Sequence, residues 1–492
     1  MNDMTFTKES ACLDKGRTRL EIVEAIRQLV PPGSPEPRDP ALLTQLQRLT
    51  RTLINEYKSA GRLSVDPFAQ VAERQLQLCK KQAVELLSKK TVLVTGGLGC
   101  VGRNLIPQLL ALGARRVISV DRKLASPTRD KVVLYQADLC SLRNLMGIFE
   151  VEKPTIVFHL AAQRSPGIAE YQVNRTIRSN VFGTQNLIQC CEKYNVTHCV
   201  YSSTGKASRY FTTEVYAASK KVAEWQFDYA ARTGRTIYGM VRFTHILENS
   251  NVRQHIRRRV AQGRPVTIHG PDRTISPQNV GEAVDLLVDG LVFSEPGCLK
   301  MAVVRNLVWP VEVLEAALWE ILASAKPSSL YFDGLPDGYN EPSFRGEIDW
   351  DRKQDLNVLI NVLESRTILN DPTDDIIITK LAPFSDRTLH GHLSSLKRAL
   401  RSPSSDLKSH LAQAIRAVAT SQLQTTQPTL LLKIIKWGLE PRYLQSNGLS
   451  IQDFAEVSKM LATSLVGQIT QESQLALISR LFLKSSPVLP PG

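Results

Sequence analysis

The chain has no run of about 18 apolar residues, no Cys-x-x-Cys pair and no His-x-x-x-His pair. The first absence excludes an ordinary membrane-spanning helix, and the others remove the usual zinc-ligand spacings, so neither membrane nor metal is expected. Eight cysteines follow no regular spacing, and the adjacent Cys190-Cys191 sit in a helical stretch where they serve as small apolar side chains. That usage fits a reducing compartment. The start, Met1-Asn2-Asp3-Met4-Thr5, lacks the basic and apolar segments of a secretion signal, and a cytoplasmic protein is the expectation. Acidic residues are outnumbered throughout, but no region concentrates the net charge of +14. Basic residues exceed acidic ones by 15 to 11 in 1–90, 30 to 24 in 91–350 and 16 to 12 in 351–492. Only Arg253 to Arg259, with four arginines in seven residues, forms a local cluster. An anionic small substrate is therefore expected rather than nucleic acid.

What remains is ordinary globular material: 492 residues, 43% hydrophobic and 22% charged, enough for two or three domains. Residues 1–90 read as a helical N-terminal extension, with helical spacing over Leu20 to Val30 and Leu42 to Tyr57 and a proline-rich break at 31–37. From 91 to 350, short apolar runs alternate with amphipathic stretches. Strands are predicted at Thr91–Thr95, Val117–Asp121, Val132–Asp138, Thr155–Ala161, His198–Ser203 and Thr236–Phe243. Such alternation predicts an α/β fold, a Rossmann-like doubly wound parallel sheet, followed after about 250 by a small substrate lobe. Residues 351–492 show helical periodicity almost throughout and read as a helical C-terminal domain. No repeat period is visible.

Thr95-Gly96-Gly97-Leu98-Gly99-Cys100-Val101-Gly102 follows the first strand. Gly96, Gly99 and Gly102 give the spacing of a dinucleotide turn: one glycine for the sharp turn, one for close approach to a pyrophosphate, one for helix-on-strand packing. Asp121 lies 19 positions beyond Gly102, at the end of the second strand. A carboxylate there can hold the adenosine ribose hydroxyls and favours NAD, whereas the following Arg122 and Lys123 leave NADP possible. Asp138-Leu139, ending the third strand, falls near the adenine. Downstream, Tyr216 and Lys220 are one helical turn apart, so an ammonium can lower the phenol's pKa and make Tyr216 a base. Ser203 or Thr204, at the end of the preceding strand, can bind the substrate oxygen.

Over about 90–300 the chain resembles the extended short-chain dehydrogenase/reductase superfamily, and within it the CapD-like polysaccharide-biosynthesis family of UDP-N-acetylglucosamine 4,6-dehydratases and related epimerases. The resemblance is carried by Phe158-His159-Leu160-Ala161-Ala162-Gln163, Asn180-Val181-Phe182-Gly183-Thr184-Gln185-Asn186, Ser203-Thr204-Gly205-Lys206-Ala207, Tyr216-Ala217-Ala218-Ser219-Lys220 and Val241-Arg242-Phe243. It implies a tightly held NAD(P), oxidation of a nucleotide-sugar at C4, proton loss at C5 and loss of the C6 hydroxyl or epimerisation. Catalysis would fall to Thr204, Lys206, Tyr216 and Lys220, with Lys206 matching the lysine assigned to C5 proton transfer. Cofactor contacts would add Cys100, Val101, Ala161, Ala162 and Asn180 to the glycines and acids above. Substrate contacts would come from Ser203, Gln163, Arg242, His245 and Arg273, and a homo-oligomer is expected. His159 is expected to pack beneath the nicotinamide end of the sheet.

The chain departs from this family in four places, one of them Gly334-Leu335-Pro336-Asp337-Gly338-Tyr339-Asn340-Glu341, which only faintly resembles the family's Gly-Leu-Arg-Pro-Gly-Glu-Lys element. Gly205 stands where the motif has an aspartate that assists departure of the hydroxyl. The interval from Lys206 to Tyr216 is about two residues longer than the pattern, and Thr244-His245 replaces Gly-Asn. The missing aspartate bears on complete 4,6-dehydration and not on hydride transfer, and the other departures point to a substrate other than the usual UDP-sugar. Two other functions fit the same residues: a ketoreductase or dehydrogenase of a non-sugar secondary metabolite, and a non-catalytic NAD(P)-binding scaffold.

Overall fold

The structure is a computed structural model that describes residues 18–123, 131–249, 251–307, 310–353, 356–369, 374–402 and 404–466. Its contacts divide the chain into two compact units. One takes the described parts of Met1–Gln75, Thr244–Glu282 and Leu307–Pro336; the other takes those of Leu76–Phe243, Ala283–Asn306 and Asp337–Gly492. The boundaries expected at 90 and 350 are therefore corrected: the N-terminal segment joins the small lobe, and the C-terminal segment joins the sheet.

The larger unit is built on eight strands: β1 (Thr91–Thr95), β2 (Arg116–Asp121), β3 (Val132–Gln136), β4 (Ile156–His159), β5 (His198–Thr204), β6 (Ile237–Phe243), β7 (Lys300–Val304) and β8 (Ile376–Thr379). Their order is β8-β7-β6-β5-β4-β1-β2-β3. All neighbouring pairs are parallel except β7 and β8. Every residue of β1 and β4 is buried, as expected for strands covered on both faces by helices. The winding reverses between β1 and β4, which opens a crevice at the carboxyl ends of these strands, the usual ligand position in a doubly wound sheet. β8 interrupts the expected helical C-terminal region. Its Ile376-Ile377-Ile378 run is β-branched and fully apolar, and it pairs antiparallel with β7 on the sheet edge. Beyond it the helices Asp386–Ala399, Leu407–Gln424, Pro428–Gly438 and Ala455–Leu465 follow the predicted periodicity.

In the smaller unit, Thr18 and Glu21 form a capping box for the Arg19–Leu29 helix, and Asp39 with Pro40 starts the Pro40–Ser59 helix. Their apolar faces, including Ile22, Ile26, Leu46 and Leu53, share one core with Val266, Leu314, Leu330 and Phe332. The N-terminal helices thus complete the lobe. Three of the four arginines of the Arg253 to Arg259 cluster form ion pairs within this unit. Arg253 pairs with Asp66 and Glu320, Arg257 with Glu320, and Arg259 with Glu36.

Candidate active site

Between β1 and the Cys100–Ala111 helix, Gly96 has φ +74°, a left-handed conformation that disfavours any side chain. A Cβ there would stand 2.9 Å from the Ala161 nitrogen, one at Gly97 would meet Ser119 Oγ at 2.2 Å, and one at Gly102 would meet the Gly96 oxygen at 2.5 Å. Side chains are thus excluded at three points, and Gly99 caps the helix without a side-chain bond. The turn offers bare backbone N–H groups at a helix start, which fits a dinucleotide pyrophosphate. Gly97 was not assigned a role from spacing. Its signal is the small Ser119 on β2, whose buried Oγ has no hydrogen-bond partner among the described residues. Cys100 and Val101 open the helix and are half-buried.

The neighbouring loop is tied to this turn by Thr95. Its hydroxyl accepts from the Leu160 and Ala161 nitrogens at 3.2 Å and contacts His159 Nδ1 at 2.8 Å. His159 Nε2 reaches Thr184 Oγ1 at 3.0 Å, and burial pushes the imidazole down to about 3. His159 is therefore a neutral core residue, stacked on Tyr201. Asn180 sits in a π-helical turn, Arg178–Phe182, and clamps the far side of the loop. Its Oδ1 accepts from Gln163 N at 2.7 Å, while Nδ2 donates to Gln163 O at 3.1 Å and to Ser219 Oγ at 2.9 Å. Asn180 thereby positions Ala161, Ala162 and Gln163 and links them to the helix that bears Tyr216.

β5 delivers Ser203 and Thr204 to the same end of the sheet. Ser203 is buried with an unpartnered Oγ among the described residues. Thr204 Oγ1 caps the 3₁₀ turn Gly205–Ser208 by accepting from Lys206 N at 3.4 Å. A Cβ at Gly205 would lie 2.7 Å from Leu359 Cδ2, so Leu359 fills the place of the motif aspartate. Lys206 Nζ donates to Glu214 Oε2 at 2.5 Å and to Gly338 O at 2.8 Å, and lies 5.2 Å from the Tyr339 ring centre. Burial lowers the lysine and raises Glu214. The lengthened interval before Tyr216 is held by Glu341, which accepts from Thr212 Oγ1 at 2.6 Å and Thr213 Oγ1 at 2.7 Å. Glu214, Glu341, Leu359 and Tyr339 were all missed as site residues. Glu214 left a trace as the one acidic residue between Lys206 and Tyr216, and Tyr339 and Glu341 lie in the segment Gly334 to Glu341, which faintly resembles the family's Gly-Leu-Arg-Pro-Gly-Glu-Lys element.

The Val215–Thr233 helix buries 14 of its 19 residues, so its charged groups must find partners inside. Lys220 Nζ donates to Ser202 O at 2.6 Å and lies 4.2 Å from the Tyr201 ring centre. Burial lowers this lysine to about 7. Burial pushes the Tyr216 phenol up, against an opposing pull from the Thr204 hydroxyl and Arg164. The expected lowering of the phenol by Lys220 is thus corrected for this state: the ammonium's hydrogen bond goes to β5, and desolvation dominates at Tyr216.

Arg242 is also corrected. It is 0% exposed, with paired bonds of 2.7–2.8 Å to Glu224 and 2.7 Å to Glu364, and a further 2.7 Å bond to Leu359 O. All its donors serve the core, which leaves none for substrate. Asp138 is committed to a turn, accepting from Cys140 N at 2.9 Å, and Leu139 is buried, its oxygen accepting from Asn186 at 2.9 Å. Asp121 ends β2 half-buried, accepting weakly from Lys123 N at 3.3 Å, beside an exposed Arg122. His245 and Arg273 belong to the smaller unit. His245 is half-buried in a two-residue strand paired with Pro277–Gln278, and burial lowers its pKa; Arg273 is exposed. Among the described residues no His, Cys, Asp or Glu cluster is arranged for a metal, and no helix is long and apolar enough to cross a membrane.

Residues 92–277 match the NAD dependent epimerase/dehydratase family. The match spans the glycine turn, Lys206, Tyr216 and Lys220, and the cradle described above fits the family's NAD. The capsular polysaccharide biosynthesis protein CapD of Staphylococcus aureus is 24% identical over 311 residues, covering 56% of this chain and 51% of that protein. The chain thus spans about half of that relative's length. A UDP-glucose 4-epimerase of Rickettsia rickettsii is 26% identical over 251 residues, covering 48% of this chain and 72% of the relative. The solved structure of Pen from Bacillus thuringiensis superposes with a TM-score of 0.52 at 19% identity, covering 60% of this chain and 90% of that one, which supports the fold.

Proposed function

We propose that the protein is an NAD-dependent enzyme that oxidises a nucleotide-sugar at C4 and then moves a proton at C5, with dehydration at C5/C6 or epimerisation as the outcome. The observation that carries this reading is the convergence at one end of the sheet. The side-chain-free turn after β1, the Thr204–Lys206 segment after β5 and the Tyr216–Lys220 helix follow strands separated only by β4. Bound NAD supplies the hydride acceptor and later donor. Asp121 holds the adenosine ribose hydroxyls, and its negative charge disfavours the extra phosphate of NADP. Thr204 holds the oxygen at C4, and Tyr216 takes its proton. Lys220, whose proton affinity is lowered towards neutrality, provides an ammonium that can exchange protons near pH 7. Lys206 exchanges the proton at C5. The relatives named for capsule synthesis and UDP-glucose epimerisation support a nucleotide-sugar as the substrate class.

Mass spectrometry of small molecules retained on the purified protein, followed by a nucleotide-sugar panel in deuterated water, tests the proposal. Retained NAD and deuterium at C5 of a converted sugar support it. A retained non-sugar metabolite, with NADH accumulating one-for-one with product, favours a simple dehydrogenase instead.

A further inference from the structure

Lys206 cannot act as a base while it stays an ammonium, and its surroundings contain one group placed to relieve it. Glu214 Oε2 accepts from Lys206 Nζ at 2.5 Å, and the Glu214 side chain is 2% exposed against 28% for Lys206. Its other oxygen, Oε1, is buried without a hydrogen-bond partner among the described residues. The nearest further charge is Arg209 Nη1 at 3.6 Å, and Arg209 is drawn away by a 2.6 Å bond to Glu341. An ammonium has three donors, and two of those of Lys206 point to Glu214 and Gly338 O. Position 205 is glycine and supplies no carboxylate, and a Cβ there would lie 2.7 Å from Leu359 Cδ2.

We propose that Glu214 is the proton partner of Lys206, a positioning residue that takes over at this site the carboxylate function lacking at residue 205; this rests on the nucleotide-sugar reading above. The exchange is balanced. The Lys206 N–H bond breaks and an O–H bond forms on Glu214, converting the ion pair into a neutral amine and carboxylic acid. The amine then takes the C5 proton of the 4-keto sugar, whose C–H electron pair passes into the enolate. The pair now holds one proton more than at rest. That proton either returns to C5, or is taken by the C6 hydroxyl as the C6–O bond breaks and water leaves. Both routes restore ammonium and carboxylate. The opposed shifts of the two groups, lysine down and glutamate up through burial, bring their proton affinities closer together. Arg209 and Glu341 act on both from either side, and Tyr339 faces the ammonium.

The test uses the full chain with NAD and a sugar the wild type converts, in Glu214→Gln and Glu214→Asp forms checked for unchanged melting. Reduced nicotinamide on mixing reports C4 oxidation, and deuterium wash-in from solvent reports C5. Glu214→Gln should leave nicotinamide reduction within about twofold, slow wash-in by about 100-fold or more, and move the acid limb of its pH profile upward; Glu214→Asp should recover part of the rate. A substrate-free readout is acetylation of Lys206 against pH, followed by peptide mass spectrometry. In the wild type, wash-in should persist at pH values where Lys206 resists acetylation, and in Glu214→Gln the two should share one midpoint. Wash-in in Glu214→Gln at wild-type rate and pH dependence overturns the proposal while leaving the nucleotide-sugar reading intact. If no sugar reduces nicotinamide in the wild type, that reading fails and the proposal falls with it.

Discussion

Arg242 and Glu364, 122 positions apart in sequence, are joined by two parallel 2.7 Å bonds in the interior, with 0% and 3% side-chain exposure. The pair fastens the post-350 segment to β6, and Glu224 balances the guanidinium from the other side. A buried charge left without its partner is costly, about 3–5 kcal/mol. Glu364→Ala leaves Glu224 on the guanidinium but strips it of two buried bonds, so it should lower stability by about 2–3 kcal/mol in denaturant unfolding. A change within about 1 kcal/mol, the size seen for exposed pairs, would mean that the bridge is not buried in solution.

Two glycines should respond to alanine with opposite signs. At Gly102 the new methyl would lie 2.5 Å from the Gly96 oxygen and 2.6 Å from the Gly97 Cα. The turn must shift, so NAD affinity by calorimetry should fall at least about tenfold, equivalent to about 1.4 kcal/mol. Gly147 lies exposed inside the Leu142–Glu152 helix with nothing within 4 Å of its added Cβ. There alanine should raise stability by about 0.5–1 kcal/mol without changing NAD binding.

His159 sets an acid limit on the fold. Its pKa is depressed to about 3 by burial, against about 6.5 in the unfolded chain. Between those values the unfolded state binds a proton that the folded state refuses, so stability is full above about 6.5 and is lost as pH falls towards 3. The loss is at most about 1.4 kcal/mol per pH unit from this group. His159→Gln should lower stability at pH 7 yet flatten the slope between pH 6 and 4. An unchanged slope in chemical unfolding across that range would contradict a neutral, doubly hydrogen-bonded imidazole.

Cofactor choice should turn on Asp121. Replacing it with Asn removes the charge that disfavours a 2′-phosphate while Arg122 remains beside it. The ratio of NAD to NADP dissociation constants should move towards NADP by about tenfold. No movement in that ratio would place selectivity elsewhere.

The sheet was legible in sequence because its central strands are apolar runs bounded by glycine, aspartate and polar turns, and β1, β2 and β6 begin and end within a residue of expectation. The glycine turn was legible for the same local reason. What escaped was long-range. β8 is four residues long, too short for period to distinguish it from a buried helix turn. Arg242 looked like a substrate contact because sequence shows a charge without showing Glu224 and Glu364 folding onto it. The N-terminal helices displayed their apolar faces clearly, but amphipathicity says that a face is buried, not against what. Lys206 was found by motif; its carboxylate was not, because the motif sought it at 205 and Leu359 stands there.

The most direct test of the central claim is stopped-flow absorbance of the NAD-loaded protein mixed with nucleotide-sugars, wild type beside Tyr216→Phe. The wild type should form reduced nicotinamide with at least one sugar, and Tyr216→Phe, folded and still binding NAD, should do so about 100-fold to 10,000-fold more slowly. Equal rates in the two proteins, or no reduction in the wild type with any sugar of the panel, would contradict it.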